Sequence, residues 1–258
     1  MQVEFFLTIQ DIIVFCIAAL YAVLVLVTGD LARRKLHMGA DFTRKIVHLF
    51  AGGAIWTVPF YSHSWVATLV ALMFVIFLTV ANNDRFSKFF SAMARPEDIE
   101  HGSVRGPFWY AVSVTVLTGI FTFMGLDRIY FLAAASIHMM MFGDGMSAPI
   151  GMRYGRNHTV TIFGSKRSLH GSLALFAFSF FGALLAFWYF GILNYGMLAP
   201  GGAILWSQIL VLALVGSVTA TLIELVSPKG TDNILLPYTT CIVMLMVAVA
   251  IIPGLLAL

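Results

Sequence analysis

Charge is what this sequence has least of. Of its 258 residues only 10% are charged, whereas 60% are hydrophobic. A soluble domain carries about 25% charged residues, and a soluble protein of this length could not hide so much apolar surface. The composition excludes an ordinary soluble enzyme and predicts an all-α, polytopic integral membrane protein. The net charge of +3 is small, and we expect no nucleic-acid partner.

Cysteine is nearly as scarce. The two cysteines, Cys16 and Cys241, both lie in apolar runs. They form neither a metal-binding spacing nor a disulfide framework, so both kinds of cysteine site are excluded. The redox compartment is left open.

Long uncharged runs predict about eight transmembrane helices, because one crossing needs roughly 20 apolar residues. Two runs are about twice that length and are broken in the middle, at 59–64 and at 194–202, by turn-forming residues. No segment separates a second domain, so residues 1–258 are predicted to form one transmembrane catalytic domain. The predicted spans are 12–29, two within 46–83, 106–126, 129–143, two within 168–223, and 234–258.

The basic residues alternate between loops. All of the 15 lysines and arginines except Arg128 fall in the loops after the first, third, fifth and seventh spans. Positive charge marks cytoplasmic loops, so these loops are predicted to be cytoplasmic and both termini to be outside. Acids, bases and glycines share the same loops, which predicts an active site on the cytoplasmic face.

Asp144 follows a short apolar run, in Gly143-Asp144-Gly145. The run from 129 to 143 has 15 residues, about 22 Å of helix, which falls short of a hydrocarbon core of about 30 Å. Either the helix ends here and Asp144 caps it, or the helix continues through Asp144. In the second case a buried acid would face a polar cavity or a partner.

Three further oxygen-bearing side chains follow near the C-terminal end: Glu224, Asp232 and Asn233. Carboxylates and amides are hard ligands that suit Mg²⁺. Together with Asp144 they predict a magnesium site, although Asp232 and Asn233 alone are more typical of an ordinary turn.

A basic cluster with nearby glycines predicts phosphate binding. Lys166 and Arg167 could neutralise phosphate, with Ser168 beside them. Glycines let backbone N–H groups approach phosphate. Topology alone explains basic residues in a loop, but it does not explain the glycines beside them. These predicted glycines are Gly143, Gly145, Gly151, Gly155 and Gly171.

Arg44, Lys45 and His48 are spaced three and four residues apart, so they share one face of a helix. His48 could be functional or structural, and both readings stay open. His138 and His170 are interpreted as packing residues. No histidine spacing in the sequence predicts a metal site.

At these residues the chain resembles the dolichol kinase and phytol kinase family, the CTP-dependent polyprenol kinases. The resemblance implies transfer of the CTP γ-phosphate to the hydroxyl of a long isoprenoid alcohol of the dolichol, polyprenol, phytol or geranylgeraniol type. It also implies a Mg²⁺ requirement. The matching pieces, in order, are Arg44-Lys45-x-x-His48, Gly106-Pro107-x-x-Tyr110, Gly143-Asp144-x-x-x-Ala148, Lys166-x-Ser168-x-x-Gly171, and Glu224 with Asp232-Asn233 and Pro237.

Residue roles follow from the resemblance together with the chemistry. Asp144 and Asp232 are assigned to Mg²⁺, with Glu224 and Asn233 in support. Lys166 and Arg167 would hold the triphosphate, with Ser168 and the glycine backbone, whereas Arg44 and Lys45 would contact a phosphate or the phosphorylated product. The catalytic candidates are Asp144, Lys166 and His48, and either Asp144 or His48 could be the base. The apolar helices would admit the isoprenoid tail from the bilayer.

Two other functions stay open. CDP-diacylglycerol and CDP-archaeol synthases look related through the middle of the chain, but their C-terminal His-Gly-Gly and Asp-Arg-x-Asp stretch has no counterpart here. A CTP-dependent cytidylyltransferase is therefore the second candidate. A transporter is the third candidate. A transporter would place its polar residues near the bilayer midplane, often in two similar halves, whereas here they lie at one surface and no internal repeat is visible.

Overall fold

The computed structural model describes residues 6–81, 105–155, 159–163, 165–193, 204–228 and 230–255. These residues form two compact units, Met1–Gly119 and Ile120–Leu258, and the predicted single domain stays a prediction. The α-helices are α1 (Ile9–Lys35), α2 (Ala40–Ala51), α3 (Val66–Ala81), α4 (Arg105–Phe123), α5 (Tyr130–His138), α6 (Gly145–Tyr154), α7 (Leu169–Ala186), α8 (Trp206–Val226) and α9 (Asp232–Ile251). The 3₁₀ segments are Gly52–Phe60 and Asp127–Ile129, the π-helical segments are Met139–Asp144 and Phe187–Leu193, and the strands are β1 (Thr159–Ile162) and β2 (Ser165–Ser168).

The predicted class of all-α polytopic membrane protein is confirmed. Within the described ranges, six helices are long and apolar enough to cross a membrane, and Val66–Val80 is a shorter apolar helix. The second predicted span falls on α2 and the 3₁₀ segment after it, so the count of eight stays a prediction. The interruption at 194–202 and several basic residues lie outside the described residues; these are Arg85, Lys88, Arg95, Arg156 and Lys229.

In the first unit, hydrogen bonds hold the start of α1 against a distant turn. Thr8 and Asp11 form a capping box, with the Thr8 hydroxyl accepting from the Asp11 N–H. The fully buried Asp11 carboxylate also accepts from the backbone N–H of His63 at 3.0 Å. The turn that separates the 3₁₀ segment from α3 is therefore fixed next to the beginning of α1.

The helix that begins as α2 tightens into a 3₁₀ helix at Gly52. A Cβ added at Gly53 would collide with the ring and hydroxyl of Tyr21. The Tyr21 hydroxyl donates a hydrogen bond to the backbone oxygen of Phe50 at 2.8 Å. Glycine thus allows α1 to approach this segment closely, and the predicted second span loses regular α-helical geometry there.

The second unit is built around its most buried helix, Asp127–Tyr154. In the 18-residue apolar stretch of this helix, 89% of the residues are buried. Small residues on neighbouring helices allow the close packing. A Cβ added at Gly182 of α7 would lie 2.9 Å from the His138 carbonyl oxygen, and one added at Gly216 of α8 would collide with Met139. His138 is fully buried and its Nδ1 donates to the Ala134 carbonyl at 2.7 Å, which agrees with its interpretation as a packing residue.

The sequence interpretation missed a small antiparallel hairpin. Strand β1 pairs with β2 so that Thr159 is opposite Ser168 and Thr161 is opposite Lys166. The β1 residues Thr-Val-Thr-Ile are all β-branched, which favours a strand. With four residues each, the strands are too short to stand out beside long apolar runs.

Candidate functional site

Asp144 lies inside a continuous helix, not in a turn. It is the last residue of the π-helical segment, and α6 continues for ten residues beyond it, about 15 Å. Its side chain is buried and makes no capping hydrogen bond. The helix therefore continues through Asp144, as in the second of the two alternatives, and what the buried carboxylate faces stays a prediction. Single π-helical turns occur frequently at functional sites, and Asp144 ends one here.

The hairpin separates the two basic residues of the predicted phosphate cluster. Neighbouring side chains in a strand point to opposite faces. Accordingly, Lys166 is exposed while Ser165 is buried and Arg167 is partly buried. Lys166 can meet a water-soluble ligand, whereas Arg167 turns toward the protein.

Arg167 fastens the hairpin to the end of α8. Its guanidinium donates a hydrogen bond to the Glu224 carboxylate, and the Glu224 side chain is only 4% exposed. A second contact joins Arg167 Nη2 to the Ser227 carbonyl at 3.4 Å, and the Ser165 hydroxyl reaches the same carbonyl at 3.4 Å. Removing one partner of such a buried pair leaves an uncompensated charge and is strongly destabilising. In this structure Glu224 is an anchor for the hairpin, whereas the sequence had suggested a metal ligand.

Ser168 and three of the predicted glycines come together where β2 enters α7. The Ser168 hydroxyl accepts a hydrogen bond from the Gly171 N–H at 3.1 Å and caps the helix. A Cβ added at Gly151 would lie 2.7 Å from the Ser168 hydroxyl, and one at Gly155 would lie 2.6 Å from its Cβ. The structure thus brings these residues into one group and gives the glycines a packing function. Their contact with phosphate stays a prediction.

The other two glycines of the phosphate prediction flank Asp144. Gly143 and Gly145 are both buried. A Cβ added at Gly143 would collide with the Ser179 hydroxyl of α7. Gly143 therefore permits α7 to pack against the segment that carries Asp144.

The predicted metal ligands are not gathered into one cluster. In the part of the chain that the structure describes, no group of three or more His, Cys, Asp and Glu side chains could hold a metal ion. Asp232 lies in the first turn of α9, where its Oδ1 accepts from the Asn233 N–H at 3.0 Å, and Asn233 is buried. Asp144, Glu224 and Asp232 therefore do not form one such group, and the magnesium site predicted from them stays a prediction. Magnesium commonly takes one or two carboxylates and completes its coordination with phosphates.

In the first unit, the structure brings the earliest two motifs together. Arg44, Lys45 and His48 all lie on α2, as predicted, and Lys45 and His48 are buried. The His48 ring packs edge-on against the buried ring of Tyr110 on α4, with centroids 4.6 Å apart. Tyr110 was not among the predicted site residues. Its position in Gly106-Pro107-x-x-Tyr110 was the available signal.

Comparison with known proteins finds the same family that the motifs resemble. A phytol kinase from Synechocystis is 33% identical over 165 residues, which cover 64% of this chain and 66% of that protein. The chain belongs to the phytol kinase family. The chloroplastic phytol kinase 1 from Arabidopsis thaliana is 25% identical over 229 residues, covering 84% of this chain and 69% of the plant protein. The aligned part thus spans about two thirds of each relative. No family model and no solved structure matches the chain.

Proposed function

We propose that the protein is a CTP-dependent kinase that transfers the γ-phosphate to the hydroxyl of a long-chain isoprenoid alcohol. Membership of the phytol kinase family supports a kinase that acts on an isoprenoid alcohol. The same family resemblance, carried by the ordered motifs from Arg44 to Pro237, supports CTP as the donor. The alternation of basic loops supports an active site on the cytoplasmic face.

The observation that carries the nucleotide site is the geometry of the β1–β2 hairpin. Strand β2 presents Lys166 to solvent, while Arg167 on its other face is held by Glu224. Phosphoryl transfer depends mainly on positioning and on neutralising phosphate charge. An exposed lysine on an anchored strand meets both needs, because the ammonium group pairs with phosphate oxygens while its backbone is fixed. We therefore assign Lys166 to the triphosphate.

Asp144 is the acid that we assign to a nucleotide-bound Mg²⁺, with Asp232 as a second candidate. Both are carboxylates, the ligand type that magnesium prefers. When bound, Mg²⁺ would neutralise charge on the phosphates. Glu224 is removed from this set, since it is already paired with Arg167. Asp144 and His48 both stay candidates for the base.

The test is a transfer assay on the purified full chain with γ-labelled CTP and a panel of prenyl alcohols. We expect labelled lipid monophosphate from at least one alcohol. Lys166→Ala should lower kcat/KM for CTP by about tenfold to a hundredfold, because a charge-assisted hydrogen bond contributes about 1.5–3 kcal/mol. The matched control is Arg153→Ala, since Arg153 is an exposed cation of the same unit that packs over the Tyr154 ring. Equal, small losses in both variants would contradict the assignment of Lys166.

A further inference from the structure

The first unit contains a narrow apolar cavity with a free volume of about 80 Å³. Its walls come from α1, α2, the 3₁₀ segment, α3 and α4. Alanine is the commonest residue in the walls, beside larger apolar residues such as Val70, Phe74 and Leu78. The six lining alanines are Ala22, Ala51, Ala54, Ala67, Ala71 and Ala111.

Open space between apolar helices needs a reason. Protein interiors are packed to nearly crystalline density, and an empty apolar cavity lowers stability in proportion to its volume. Small residues in membrane helices usually bring the helices into contact. Here they line a slot instead, and larger aliphatic side chains at the same positions would fill it. The slot therefore suits a thin apolar ligand that enters from the bilayer.

The cavity is elongated, and its ionisable side chains lie at one end. Arg44 and His48 lie at that end, together with Gly106 and Tyr110 at the start of α4. Thr118, twelve residues further along α4, also lines the cavity, which gives a length of about 18 Å. At the far end, the apolar residues Val58 and Ala67 flank the short turn between the 3₁₀ segment and α3, and Thr118 contributes a hydroxyl.

We infer that this cavity holds the isoprenoid chain of the substrate, with its hydroxyl at the Arg44, His48 and Tyr110 end. The identity of the occupant rests on the proposed function, whereas the shape and polarity of the cavity do not. We place one chain in this cavity, and not a lipid with two acyl chains, because its volume is only about 80 Å³. Alanine walls leave room for methyl branches. The Arg44 guanidinium suits the phosphate that the chain carries after transfer, because a cation pairs with phosphate oxygens.

The first test measures binding without nucleotide. Labelled geranylgeraniol, an alcohol of four isoprene units, is titrated into the purified full chain in detergent. Ala71→Phe fills the slot and should weaken binding by about tenfold or more. The matched control is Leu72→Phe, which places the same side chain on the next residue of α3, where Leu72 is exposed. Leu72→Phe should bind like the wild-type chain.

A second variant separates a blocked slot from a damaged fold. Ala67→Phe closes the far end and leaves the polar end intact. It should weaken binding of geranylgeraniol by about tenfold, yet leave binding of geraniol, with two isoprene units, unchanged. A misfolded variant would lose both alcohols.

The outcomes distinguish this inference from the proposed kinase activity. No saturable binding to the wild-type chain, equal binding by Ala71→Phe, or equally strong competition by phosphatidic acid, a two-chain lipid, would overturn the inference. Binding that the slot variants weaken as expected, in a protein that transfers no γ-phosphate, would support the cavity and refute the kinase.

Discussion

In the second unit, glycines bring helices into contact around the buried helix Asp127–Tyr154, whereas in the first unit alanines line an open slot. Gly182 and Gly216 leave no room for a Cβ, while Ala67 and Ala71 border free volume. The same preference for small residues thus serves two purposes. Tight packing fixes the side chains that we propose for the phosphates, and loose packing leaves the space that we propose for the isoprenoid chain.

The largest effect should come from the acid on the packed helix of the second unit. Asp144→Asn removes one negative charge with almost no change in volume, so the protein should fold and insert normally. Turnover should fall by about a thousandfold, because a fixed charge at the phosphates is lost where it must act. The assay is γ-phosphate transfer by purified protein with verified folding. Wild-type turnover by this variant would show that Asp144 serves packing alone.

The next effect concerns the ion pair that anchors the hairpin. Glu224→Gln should leave a buried guanidinium uncompensated and cost about 3 kcal/mol of local stability. The hairpin that carries Lys166 would then detach from α8, so KM for CTP should rise more than kcat falls. Protease sensitivity of the hairpin, measured beside the kinetics, reports the detachment. If the protease sensitivity of the hairpin stayed unchanged while the dependence of activity on Mg²⁺ was lost, Glu224 would be assigned to the metal again.

The first unit supplies the control for that ion pair. Asp30 and Arg34 form an exposed pair one helical turn apart on α1, with side chains 29% and 58% exposed. Exposed pairs of this kind contribute about 0.3–0.5 kcal/mol. Asp30→Asn should therefore change neither the unfolding temperature nor KM for CTP. If Asp30→Asn lowered stability or raised KM for CTP as much as Glu224→Gln does, the effect of Glu224→Gln could not be assigned to the buried ion pair.

A smaller effect tests the contrast in packing itself. Gly182→Leu of α7 must push a side chain against the His138 carbonyl and should cost about 2 kcal/mol. Ala71→Leu of α3 should leave stability unchanged, since it grows into free space. Phe181→Leu, at an exposed neighbour of Gly182, controls for the change in side chain. The measurement is the thermal unfolding of the three variants. Equal losses of stability in the Gly182 and Ala71 variants would contradict the proposed difference in packing between the two units.

Much of this could be predicted from local sequence. Uncharged runs predicted the membrane helices, since a helix in lipid needs apolar side chains throughout. The spacing of Arg44, Lys45 and His48 placed them on one helix, and the glycine-rich pieces around Ser168 proved to be one group. These features depend on residues that are neighbours in the chain.

The rest depends on partners far apart in the sequence. Arg167 and Glu224 are 57 positions apart, so nothing local distinguished an anchoring acid from a metal ligand. The apolar run before Asp144 was compatible with two helix lengths. The longer helix is surrounded by neighbouring helices, and the composition of the run alone does not reveal those neighbours. The slot was equally hidden, because an alanine that lines a cavity looks the same in sequence as one in a tight contact.

The most direct measurement of the central claim follows two labels of CTP in one reaction, one on the γ-phosphate and one on cytidine. A kinase joins the alcohol oxygen to the γ-phosphorus and releases CDP, so the γ-label should appear in a lipid monophosphate and cytidine should stay in solution. A cytidylyltransferase joins a lipid phosphate to the α-phosphorus and releases pyrophosphate. Cytidine on the lipid, with the γ-label in pyrophosphate, would contradict the proposed function.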